Sequence, residues 1–136
     1  MNNTIKGITI EIGGDTSKLG KALQNVEKQS KSLSVELGQI NRLLKLDPGN
    51  TELLAQKQKV LAEAISSTAK KLETLKTAEA QVQAQFERGE VSEEQVRALQ
   101  REIIQTEGKL SGYEKAADEN QIKMDSIYLR CAFRLL

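Results

Sequence analysis

Apolar residues recur along most of this chain at alternating steps of three and four. Leu19, Leu23, Val26, Ser30, Leu33, Leu37, Ile40 and Leu44 keep that step, and all but Ser30 are apolar. This is a heptad seam, the pattern of helices that pack along a narrow stripe. Asp47, Pro48, Gly49 and Asn50 interrupt it. Proline restrains the residue before it, glycine frees the backbone, and Asn50 or Thr51 can cap a new helix. The second seam holds its phase through Leu54, Gln58, Leu61, Ile65, Thr68, Leu72, Leu75, Glu79, Val82 and Phe86, thickened by Ala55, Ala62, Ala69 and Ala78. Gly89 reads as a helix C-cap, and Ser92 with Gln95 as a capping box. The third seam is Val96, Leu99, Ile103, Thr106, Leu110, Tyr113 and Ala117.

Only the N-terminus departs from this period. In residues 4–12, Ile8, Ile10 and Ile12 alternate with Thr9 and Glu11, which predicts a strand. Gly13 and Gly14 stop it, and Asp15 or Thr16 is the expected cap of the first helix. No second strand pattern follows, so this strand is expected alone or paired with another chain. The expected fold is therefore all-α: a long antiparallel helical hairpin or coiled coil of three helices at about 16–46, 51–87 and 92–118, preceded by a short lone strand. The expected division is residues 1–15 as strand and turn, 16–118 as the coiled-coil region, and 119–136 as a divergent C-terminal tail with helix as one option.

Composition narrows the chemistry. Nearly half of the 136 residues are Ala, Glu, Lys, Leu or Arg, as in long helices. There is no His, one Cys and a formal net charge of +1. Imidazole catalysis, internal disulfides and thiolate metal clusters are therefore excluded, and the near-neutral balance argues against specific nucleic-acid binding. The four aromatics make no base-stacking platform. No apolar run is long enough to span a membrane, and no secretory leader is recognisable. Charges of both signs intersperse, as on solvated helix faces.

Individual candidates have plain readings. Gly14 to Lys21 lacks the spacing of a phosphate loop. Glu93 and Glu94 favour a helix dipole, Lys70 and Lys71 a solvated face, and Cys131 a small hydrophobe. The Asp47–Asn50 turn has no 34-residue repeat around it to make it a tetratricopeptide motif. No catalytic, cofactor or metal site is expected. The residues expected to matter are the packing seam and the turn at Asp47, Pro48, Gly49 and Asn50. The chain's own seams are expected to drive self-association.

Three stretches occur in a telling order: IKGITIEIGGDTSKLGKALQNVEKQSKSL (5–33), INRLLKLDPGNTELLAQKQKVLAEAI (40–65) and GEVSEEQVRALQREIIQTEGKL (89–110). Together they resemble the N-terminal region of phage and prophage tail tape measure proteins, over about residues 4–115. The strand, GGDTSKL and LLKLDPGN pieces carry most of the likeness. The resemblance implies a structural, non-enzymatic role in setting tail length and aiding DNA delivery. It implies tail tube and tail assembly chaperone proteins as partners. It implies the host cytoplasm, and the virion tail once assembled, as the location. Family members are several times longer, which implies a fragment or a truncated prophage product. The alternative is a stand-alone coiled-coil module that binds a partner through its seam.

Overall fold

Gly13 and Gly14 both take positive φ, +59° and +87°. A two-residue hairpin turn of the primed type demands this, and glycine meets it without strain. The chain therefore reverses at once. In the computed structural model, which describes residues 5–134, strand β1 (Thr9–Ile12) pairs antiparallel with β2 (Asp15–Lys18). Thr9 lies opposite Lys18, and Ile12 opposite Asp15. The expected lone strand is thus one arm of a hairpin. Its partner, Asp-Thr-Ser-Lys, carries no apolar alternation, because Ile8 and Ile10 supply the buried face for both arms. The first part of the expected strand, Ile5–Gly7, is a single 3-10 turn. Thr4 lies outside the described residues, as do Leu135 and Leu136.

Pairing also moves the start of the first helix. α1 spans Leu19–Leu46, and its N-cap is Lys18, with no side-chain cap. Asp15 and Thr16 are strand residues and cap nothing, a correction to the expected start at 16. The Leu19 amide instead donates to the Ile8 carbonyl at 2.7 Å, welding the hairpin to the helix.

The next two junctions follow the local chemistry. α2 spans Thr51–Glu87, and the Asn50 side chain accepts from the Leu53 amide at 3.0 Å. Gly89, at φ +74°, ends it. Ser92 and Gln95 form the reciprocal capping box: the Gln95 amide donates to Ser92 Oγ, and the Ser92 amide to Gln95 Oε1. α3 then runs unbroken over Glu93–Arg134, beyond the expected end at 118. At 1.5 Å per residue the helices are about 42, 55 and 63 Å long.

α2 is central and packs along α1 on one flank and α3 on the other. Short connections make each neighbouring pair antiparallel. Two apolar clusters fill the bundle. One, at the hairpin end, joins Ile8, Ile10, Leu19, Leu23, Leu75, Ala78, Val82, Leu99 and Ile103. The other, at the far end, joins Leu33, Ile40, Leu44, Leu54, Val60 and Ala64.

Candidate functional site

The seam residues are the ones the sequence singles out for interaction. Leu19, Leu23, Leu33, Ile40, Leu44, Leu54, Leu61, Leu75, Val82, Leu99 and Ile103 are buried. Val26, Leu72 and Val96 pack against the first cluster, and Leu37 against the second. Ile65 and Leu110 are half-buried. The three seams meet one another inside a single chain.

Two expectations are corrected. Phe86 is 40% exposed. At that end the α2 face turned toward the hairpin carries Gln81, Val82 and Gln85, and Phe86 is rotated away from it. Ala55, Ala62 and Ala69 are also exposed. Ala78 is buried as expected, but the second buried stripe of α2 otherwise runs through Val60, Ala64 and Ser67. A central helix must serve two partners, so its second stripe faces the other neighbour, not the nearest alanines.

Gln81 and Gln85 close the outer edge of β1. The Glu11 amide donates to Gln81 Oε1, and Gln81 Nε2 donates to the Glu11 carbonyl, both at 2.7 Å. Gln85 Nε2 donates to the Thr9 carbonyl at 2.6 Å. A primary amide thus does what a neighbouring strand would do, and the Glu11 amide and the Thr9 and Glu11 carbonyls are satisfied within the chain. The two glutamines are one helical turn apart, so both reach the same edge.

Between the apolar clusters lies a polar layer. The Ser30 and Ser67 hydroxyls hydrogen-bond across α1 and α2 at 3.1 Å. Thr106 donates to the Glu102 carbonyl of its own helix. Lys71 on α2 is only 14% exposed in its side chain; it pairs with Glu102 of α3 at 2.9 Å and approaches Glu27 of α1 at 3.9 Å. Nearer the far end, Asn120 is buried and its Nδ2 donates to the Leu54 carbonyl and to Gln58 Oε1, both at 2.9 Å. Each polar interruption of the seams that lies in the core has a partner or an opening to solvent.

The turn at Asp47, Pro48, Gly49 and Asn50 is stapled by Asn50 Nδ2 donating to Asp47 Oδ2 at 3.1 Å. Gly49 keeps a negative φ there, so its left-handed freedom is not used. At the opposite end, Arg88 grips Glu90 through Nε and Nη2 at 3.0 and 2.9 Å. That pair holds the Glu90 carboxyl below its ordinary range and raises the guanidinium, in both cases chiefly through the hydrogen bonds.

Among the described residues no acidic or cysteine cluster could hold a metal ion, and no helix is long and apolar enough to cross a membrane. Comparison with protein-family models, with curated proteins and with solved structures found no match. Any functional reading therefore rests on the residues themselves. Three of them lie outside the seams that the sequence pattern marks. Gln81 and Gln85 carry no apolar signal. Asn120 does carry one: extending the third seam past Ala117 by the same steps reaches Asn120, Met124, Ile127 and Cys131.

Proposed function

We propose that this chain is a structural, non-enzymatic element of a phage or prophage tail, corresponding to the N-terminal part of a tape measure protein. The observation that carries this reading is where the resembling pieces fall. GGD is the hairpin turn, LDPGN is the α1–α2 joint, and GEVSEEQ is the α2–α3 joint with its capping box. These are the positions at which a sequence dictates how a helical chain folds back, so a likeness that includes all three supports a likeness in architecture.

Fold-back also refines the role. A single helix over residues 19–134 would reach about 170 Å, whereas the longest helix of the bundle is about 63 Å. This segment is therefore a compact end-piece of a tape measure, not a unit of its length. Tail tube and assembly chaperone proteins would meet it from outside, because its seams are already filled. The same filling favours the second reading, a stand-alone helical module. Mass spectrometry of purified tails separates the two. Peptides from residues 5–134 should appear in tails from the strain that encodes the chain, and the chain should co-purify with the tail assembly chaperone. A chain abundant in the lysate but absent from both would overturn the tail reading.

A further inference from the structure

The structure also places charge where interspersed signs gave no reason to expect it. α2 packs along both outer helices, but α1 and α3 scarcely approach each other along their length. Two clefts of about 390 and 620 Å³ open between them over α2. Lys31 and Lys45 of α1, Lys57 and Lys71 of α2, and Lys109 and Lys123 of α3 all line these clefts. Each helix contributes two lysines fourteen residues apart. Fourteen residues are two heptads, so both members share a face and stand about 21 Å apart. Because α2 runs antiparallel, Lys71 falls level with Lys31 and Lys109, and Lys57 level with Lys45 and Lys123. The result is a groove of two clefts in line over α2, each lined by three lysines, of which Lys71 is already held by Glu102, in a chain whose net charge is only +1. The acidic groups lining it are Glu27 and Glu119. Among the described residues the five lysines other than Lys71 form no ion pair.

The floor of the groove keeps one hydroxyl open to solvent. Thr68 is only 5% exposed, lines the smaller cleft, and its hydroxyl makes no hydrogen bond within the described residues. Val35, 56% exposed, and the half-buried Tyr113 place apolar surface beside the first cluster, while Leu44 and Leu54 lie buried beneath the second. We infer that this groove docks an acidic amphipathic helix of a partner protein, which completes a fourth position beside α1 and α3. A helix of about 17 residues spans the roughly 25 Å of groove, its apolar stripe inward and its carboxylates over the two clusters. A nucleic acid fits less well. The groove offers no arginine for bidentate phosphate contacts and one aromatic for stacking, and Glu27 and Glu119 would repel a continuous phosphate backbone.

The probe is a labelled peptide of about 18 residues with leucines at heptad positions and two glutamate clusters fourteen residues apart. Controls are the same peptide with its clusters seven apart, a lysine-for-glutamate version, and an oligothymidine of similar length. Fluorescence anisotropy against the whole chain should show the fourteen-spaced acidic peptide binding best, more weakly at about 0.5 M than at about 0.1 M salt. The triple variant Lys31→Glu, Lys109→Glu, Lys123→Glu alters exposed residues only, so its circular dichroism should match the parent. It should lose acidic-peptide affinity at least roughly tenfold and gain affinity for the lysine peptide. The inference is overturned by any of four outcomes: no binding by about 1 mM peptide, equal binding of the two spacings or the two charges, tighter binding of the oligonucleotide, or indifference to the triple variant. Self-association of the chain that the triple variant abolishes, and that blocks the peptide, would assign the groove to a second copy and overturn the inference.

Discussion

Replacing Gln81 by Met tests whether a side-chain amide can stand in for a strand. Methionine matches glutamine in length and nearly in helix propensity, so α2 itself should be undisturbed. What is lost is a pair of hydrogen bonds at 2.7 Å to the two backbone groups of Glu11. A hydrogen bond contributes about 0.5–1.5 kcal/mol net, and these lie at the surface, where water competes. The low half of that range gives about 1–2 kcal/mol for the pair. In a chain of this size each kcal/mol moves the midpoint by roughly 3 °C, so Gln81→Met should lower Tm by roughly 3–6 °C. Hydrogen exchange of the Glu11 amide should quicken by roughly tenfold, which localises the effect. Gln81→Glu sharpens it. The new carboxylate can still accept the Glu11 amide, but its second oxygen meets the Glu11 carbonyl, acceptor against acceptor. Protonation restores the donor, so folding raises that carboxyl's pKa above about 4.3. The sign follows: this variant is near the parent in stability below the unfolded-state pKa, and its deficit grows as pH rises through the folded-state pKa. If Gln81→Met unfolds in urea within about 0.3 kcal/mol of the parent and Glu11 stays equally protected, the clamp reasoning is wrong.

Leu75→Ala should be the costliest simple truncation, about 2–5 kcal/mol by urea unfolding, because Leu75 is fully buried in the cluster shared by hairpin and helices. Asn120→Asp should cost about 1–3 kcal/mol at neutral pH, since a carboxylate would face the Leu54 carbonyl that Asn120 now donates to. That deficit should shrink on acidification, when the carboxyl can donate. Arg88→Ala should lower stability slightly above the ordinary carboxylate range, and the difference should vanish as pH falls through the depressed pKa of Glu90. Urea midpoints measured across pH would show it; a gap persisting at low pH would mean the arginine acts through something other than this pair.

The parts of the fold legible in the sequence are those governed by local rules. The three seams, the Asn50 cap, the Gly89 terminus and the Ser92–Gln95 box each rest on residues within one helical turn of one another. What escaped was set by distant partners. β2 is a strand only because the Gly13–Gly14 turn delivers it beside β1; its own Asp-Thr-Ser-Lys has nothing to announce it. The second stripe of α2 depends on which two helices flank it. For that reason alanines in phase with the seam at 55, 62 and 69 lie outside, and Val60, Ala64 and Ser67 lie within. The lysine groove has the same cause. Each pair of lysines looks like solvated surface on its own helix, and only the antiparallel order of three helices brings the pairs level.

That alignment needs a unique register, and apolar seams alone do not give one. Leucines repeating every seven residues would tolerate a slip of one heptad, about 10 Å, with most apolar contacts remade. The polar layer removes that tolerance. A slip of α1 by one heptad along α2 would set Leu23 or Leu37 against Ser67 and carry Ser30 into an apolar cluster, leaving a hydroxyl without its partner. The same slip would separate Glu27 from Lys71, and a slip of α3 would take Glu102 from it, stranding a largely buried ammonium. Asn120 fixes α3 at the far end through Leu54 and Gln58. The seams thus supply adhesion while Ser30, Ser67, Lys71 and Asn120 supply position. That the lysines of three helices fall level with one another is a consequence of residues that themselves add little to the strength of packing.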